Sequence, residues 1–359
     1  MKIITWSIQK LGEKKIGPES RESGELNYFN SAGLGGNILS FMTKVISGNK
    51  VWSTLWKDGI TDSPADVIVI IGVISGGQAK GNSATGSAEI VLPILKAALT
   101  AETGMKYDYV PPLVTGYREC VGILYNTDKL SCTDSGVLKK STDEDKEAYL
   151  TPRTPFWARF TSTPAGSPLN IVGIHAPPPK GKEDTEYKKP IQYSDSFTDI
   201  EKITQKKTQT DKEPTLLLGN FHCSPVANYK TTDGKEDKEE TTTHLPFTAL
   251  FDTYNYGTRL PEVPPTPSPP PPKVKPDNLT SISKSVDTSK TPPASYLSRA
   301  YDNILYSHLS STPKSKVLDL IGQARNMNAP KTPPLDPTHA LTLAEYAKVS
   351  SNLPVVLEL

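Results

Sequence analysis

Thr215–Pro225 reads TLLLGNFHCSP. Three consecutive leucines, Leu216 to Leu218, suit a strand covered on both faces, and Gly219 closes the apolar run. Asn220 and His222 then flank Phe221 at the strand's exit. Here the donors are an amide and an imidazole, whereas a hard divalent cation prefers carboxylate oxygens. The loop has the position of a metal-holding turn without the charge of one.

Further strand signals lie on both sides of it. Lys2 to Ile8 alternates and is rich in β-branched residues, and Asp66 to Val73 is a continuous apolar run bounded by Pro64 and Gly76-Gly77. Tyr107 to Val110, Glu119 to Tyr125, Phe156 to Thr161, Asn170 to His175, Asp302 to Tyr306, Lys316 to Leu318 and Leu353 to Leu359 read as strands. Helical spacing predicts two pieces within Asn37 to Trp56, broken near Gly48-Asn49, and further helices over Ser87 to Ala101 and Ser194 to Lys207. Pro93 is expected near the first turn of its helix or at a kink. Strands alternating with helices predict a layered α/β protein. Hydrophilic stretches at about 133–146, 180–189 and 230–243 read as solvated loops. A proline-rich, core-poor stretch at about 262–293 reads as a long exposed loop, a tolerated insertion more than a docking site.

Composition narrows the function classes. The 40 Lys and Arg balance 39 Asp and Glu, so the whole chain has no general attraction for nucleic acid or acidic membranes. Three scattered cysteines, without a CxxC pair, fit neither a disulfide framework nor a cysteine zinc site. The opening MKIITWSIQ lacks a signal-peptide pattern, and no apolar run is long enough to span a bilayer. The expectation is a cytoplasmic protein with no membrane partner.

In chain order the motifs are TWSIQ (Thr5 to Gln9), ADVIVIIGV (Ala65 to Val73), GYRECVGILYNTDKL (Gly116 to Leu130), NIVGIHAPP (Asn170 to Pro178), LLLGNFHCSP, YDNILYS (Tyr301 to Ser307) and SSNLPVVLEL (Ser350 to Leu359). Together they resemble the endonuclease/exonuclease/phosphatase superfamily, the DNase I-like fold, from end to end. The resemblance implies one domain over residues 1–359. It would be a four-layer sandwich of two mixed β-sheets, face to face and flanked by helices, with the active site at one edge.

The resemblance also assigns site positions, and most of them depart from the family pattern. Ser7 stands at an Asn position and Gly72 at the glutamate that holds the metal. Asn220 and His222 stand for Asp and Asn, and Ser351 and Asn352 for the terminal Asp and His. Arg118, His175 and Asp302 are kept. Phosphodiester hydrolysis in this family needs a divalent metal and a base. Glycine offers no ligand, Asn220 only a neutral oxygen, and Asn352 cannot exchange a proton near neutral pH. The expectation is therefore a pseudoenzyme with no competent catalytic residue and no cofactor, with magnesium or manganese only if the family chemistry survives. It would act by binding or scaffolding, most simply on a protein partner.

Alternatives stay open for single residues. His175 and His222, from adjacent family loops, are either ligands of a softer metal such as zinc or hydrogen-bonding residues at a pocket rim. Arg118 either contacts a phosphate-bearing ligand or pairs with Glu119 or another acid. Asp302 is a lone acid or a strand hydrogen-bonding group. The glycine-rich Ser75 to Ser87 lacks the Lys-Ser/Thr ending of a P-loop and reads as a loop at the site rim. The competing functions are a divergent metal-dependent phosphodiesterase or nuclease with a rebuilt site, and a non-cleaving nucleic-acid-binding module.

Overall fold

The computed structural model describes residues 1–16, 38–48, 63–77, 79–116, 118–138, 153–164, 166–176, 213–222, 302–307, 309–310, 313–318, 320, 346–347 and 349–359. It also describes the backbone of three short strands at 257–258, 281–282 and 297–299. The expected helix over Ser194 to Lys207, the second helical piece after Gly48 and the insertions at 180–189 and 230–243 lie outside the described residues.

Strand β1 (Lys2–Leu11) is followed by the short helix α1 (Glu13–Ile16), helix α2 (Ile38–Ser47) and β2 (Val67–Ile74). Helix α3 (Ser87–Thr103) comes next, then β3 (Tyr107–Tyr109), β4 (Val114–Gly116), β5 (Glu119–Asn126) and β6 (Leu130–Val137). The strands β7 (Phe156–Ser162), β8 (Pro168–His175) and β9 (Thr215–Asn220) follow. Short strands β10 (Gly257–Thr258), β11 (Ser281–Ile282) and β12 (Leu297–Arg299) precede β13 (Asp302–Ser307), β14 (Lys314–Val317) and β15 (Val355–Glu358).

A seven-stranded sheet runs β14-β15-β1-β2-β5-β3, with β4 also on β5. A six-stranded sheet runs β10-β13-β9-β8-β7-β6, and β11 and β12 pair separately. Each large sheet is mixed, with one parallel pair: β1 with β2, and β8 with β9. The inner strands β1, β2 and β5 lie against β8 and β9. This is the DNase I-like sandwich that the motif order implied.

Burial explains why these sequences became strands. Every residue of β9, and every residue of β2 but the last, is buried, as a strand covered on both faces requires. Two glycines set the layer spacing. A Cβ on Gly173 of β8 would lie 2.5 Å from the Val121 side chain of β5, so the sheets meet there backbone to side chain. On the other face of β5, a Cβ on Gly122 would lie 2.8 Å from Leu92 of α3. An added methyl at either point would cost about 1–3 kcal/mol in displaced packing. Pro93 lies inside α3, which ends at left-handed Gly104, whose N–H reaches the Thr100 carbonyl.

Two loop expectations need correction. Thr133 to Val137, expected in a solvated loop, belong to β6 and pair with β7. The strand lies at the sheet edge with many half-exposed residues, so it carries no apolar run. Within the expected proline-rich loop, Ser281–Ile282 pairs with β12. Strand β4 was not foreseen; three residues are too few to show a period. No helix among the described residues is long and apolar enough to cross a membrane.

Candidate functional site

The strand ends β1, β2, β8 and β9 and the strand starts β5 and β13 converge on one edge of the sandwich. Register fixes the order. His175 is opposite Asn220 in the parallel β8–β9 pair, and Asn220 is opposite Asp302 in the antiparallel β9–β13 pair. Ser7 of β1 reaches across to the second sheet, its hydroxyl donating to Asp302 Oδ1 at 2.5 Å. Register and this bond thus bring Ser7, His175, Asn220 and Asp302 together, while Arg118 and Ser351 are exposed.

The positions where the resemblance expects carboxylates serve the backbone here. Gly72 lies where the β2–β5 register shifts between Ile71 and Val73, with φ of 88°. That left-handed value suits glycine and strains any residue with a Cβ. The amide oxygen of Asn220 accepts the His222 N–H at 2.9 Å, an Asx turn that holds the loop. Phe221 is buried, and His222 itself has a left-handed φ of 51°. At the chain's last strand, the Asn352 amide donates to Ser351 Oγ at 3.3 Å. The Asn352 carbonyl accepts from Tyr346 OH at 2.7 Å and from the Trp6 indole N–H at 3.3 Å. Ser350 Oγ donates to the Ser7 carbonyl and accepts the Asn352 N–H at 2.9 Å. The segment is tied down by neutral hydrogen bonds.

The other side of the edge holds charge. Glu119 Oε2 lies 3.0 Å from Arg153 Nη2 and 3.1 Å from His175 Nδ1. The second contact is an ion-pair distance without good hydrogen-bond alignment. Arg153 Nη1 also donates to the Ala176 carbonyl at 3.1 Å. His222 stacks on His175, with centroids 6.2 Å apart and rings inclined 24°. Burial opposes charge on Glu119, but His175, Arg153 and Lys10 outweigh it and hold its carboxyl below the usual range. Burial holds His175 below its ordinary value despite Glu119, with Arg153 adding to the shift. Burial, then His175 and Arg153, push His222 down to about 3. Both imidazoles are therefore neutral at neutral pH. The carboxylate favours the His175 tautomer with its proton on Nδ1, leaving Nε2 as an acceptor.

These contacts correct two expectations and add two residues. Arg118 does not pair with Glu119; it is exposed, while Glu119 turns to Arg153 and His175. His175 is not a rim residue bonded to backbone or solvent; its side chain is 14 % exposed and faces a carboxylate. Glu119 and Arg153 were missed as site residues. Arg153 sits in TPRTPF, where nothing local marks it, whereas Glu119 directly follows Arg118 at a strand start. Among the described residues, no three of His, Cys, Asp or Glu are grouped to hold a metal ion. Cys120 and Cys132 are free thiols.

No family model and no curated protein matches the sequence. Among solved structures the chain is similar to a mannosyl-6-phosphatase of Bacteroides thetaiotaomicron: 15 % identity, 100 % of this chain and 98 % of that one covered, TM-score 0.48. It is similar to the human Nocturnin catalytic domain with bound sulfate: 12 % identity, 100 % and 93 % covered, TM-score 0.47. It is also similar to ANGEL2, a 2',3'-cyclic phosphatase: 11 % identity, 99 % and 94 % covered, TM-score 0.48. At such identities and TM-scores these likenesses carry no chemistry over to this chain.

Proposed function

We propose that this chain is a non-hydrolysing protein of the endonuclease/exonuclease/phosphatase fold that acts by binding, with a protein as its partner. The observation that carries the reading is Gly72. The position that the resemblance gives to the metal-holding glutamate has no side chain, and its φ of 88° disfavours one. A hard divalent cation does not fit the remaining donors. The Asn220 oxygen serves the His222 N–H, and the Asp302 oxygen nearest β1 serves the Ser7 hydroxyl. Asn352, at the family's histidine position, cannot move a proton near neutral pH.

One observation favours a second reading, an enzyme with a rebuilt site. The pair of Glu119 and His175 has the form of an oriented base, with His222 stacked beside it. Near-neutral charge gives a nucleic-acid-binding module no such support.

The deciding experiment measures hydrolysis of a generic phosphodiester and of plasmid DNA with magnesium, manganese or zinc. The expected result is no turnover by the natural chain. Gly72→Glu is expected to stay silent as well and to lower stability by about 1–2 kcal/mol, because the left-handed backbone resists the new side chain. Metal-dependent turnover abolished by His175→Ala would replace the binding reading with the rebuilt enzyme.

A further inference from the structure

His175 and His222 are the two histidines among the described residues, and the fold sets them side by side. His175 ends β8, and His222 follows the neighbouring parallel strand β9. The backbone of His222 is left-handed at φ 51°, in a turn fixed by the Asn220 side chain, which accepts its N–H. Backbone held in a sparsely populated region persists where the surroundings over-determine it, and it gathers at functional sites.

Donor, spacing and charge together limit what the pair can hold. Glu119 Oε2 faces His175 Nδ1 at 3.1 Å, which leaves Nε2 with its lone pair. A carboxylate against the second nitrogen is the usual support of a metal-ligating imidazole. The ring centroids are 6.2 Å apart. Two imidazoles joined in line through one ion have that spacing, about 6 Å, when each metal–nitrogen bond is about 2 Å. Glu119 is already matched by Arg153, whose charge acts on both rings. A dication would meet that guanidinium, and zinc takes four ligands. A monovalent copper ion is softer, carries half the charge and is satisfied by two nitrogen donors.

We propose that His175 and His222 hold a single cuprous ion, two-coordinate between their rings, with Glu119 as the outer support of His175. The edge whose donors do not fit a hard divalent cation thereby offers a soft one two imidazoles.

The test is an anaerobic titration of the whole chain with cuprous ion presented as its coloured bicinchoninate complex, followed by X-ray absorption at the copper edge. One equivalent should leave the dye and show two nitrogen neighbours at about 2 Å. Glu119→Gln should bind about 10–100-fold more weakly. His222→Asn removes the ring, and asparagine accepts the left-handed backbone, so the variant should fold yet no longer compete with the dye. Copper left on the dye, sulfur among its neighbours, or binding unchanged in His222→Asn overturns the inference and leaves the non-hydrolysing reading standing. Zinc held in preference to copper, together with phosphodiester turnover, overturns both.

Discussion

The candidate site has two halves joined through Asn220, which pairs with His175 on one side and Asp302 on the other. In the first half Glu119, Arg153, His175 and His222 keep an ion pair and two imidazoles out of water. In the second, Ser7 caps the buried Asp302, and Ser350, Asn352, Tyr346 and Trp6 close a network of hydrogen bonds. The first half sets the His175 imidazole against the Glu119 carboxylate. The second offers Asp302 as its titratable carboxylate, already hydrogen-bonded. The two halves therefore differ in kind: one is held by neutral hydrogen bonds around Asp302, while the other holds charged groups that balance one another.

Three measurements sharpen or break that contrast. The largest effect is expected from Arg153→Ala, which strands Glu119 in a largely buried place. It should cost about 3 kcal/mol in urea unfolding. A cost below about 1 kcal/mol would show the first half to be solvated, and the contrast would fail.

Acid should act through the same half. A histidine whose folded pKa is depressed contributes stability that is present above its unfolded pKa and lost as pH falls. For His222 the window runs from about 6.5 down to about 3. Unfolding stability should fall by about 1.4 kcal/mol per pH unit inside that window, so about 2 kcal/mol between pH 6.5 and 5. The depressed carboxyl of Glu119 adds to the loss in the more acidic part. His222→Gln should make the slope above pH 5 shallower, the remainder coming from the likewise depressed His175; an unchanged slope would place the acid sensitivity elsewhere.

The smallest effect belongs to the second half. Ser7→Ala removes one hydrogen bond to the buried Asp302 and should cost about 1–2 kcal/mol at neutral pH. A cost matching that of Arg153→Ala would mean that both halves are equally charged in practice.

The strands of the core were legible because both-face burial leaves a continuous apolar run, as in Val67 to Val73 and Leu216 to Leu218. Strand β6 was not, since an edge strand buries only some of its residues and its sequence mixes Ser, Thr and Asp. The places of Gly72 and Asn220 were legible too, because motif order puts each at a strand position, within β2 and at the end of β9. What the sequence could not show is direction and partnership. Glu119 and Arg153 are 34 positions apart, joined only when β5 and the segment before β7 reach the same edge. The left-handed turns at Lys10 and Arg118 carry no glycine to announce them.

Strand β1 completes its place in the first sheet by pairing with β15. Trp6 and Asn352, joined through the indole N–H, are 346 residues apart along the chain. At about 5–20 residues per second of synthesis, β1 waits roughly 20–70 s for that neighbour. Until it arrives, one side of the first sheet is an open ladder of unpaired N–H and C=O groups, able to capture any extended segment nearby. The nascent protein thus carries that open edge through the whole interval between β1 and β15, and a chain cut short before β15 would keep it.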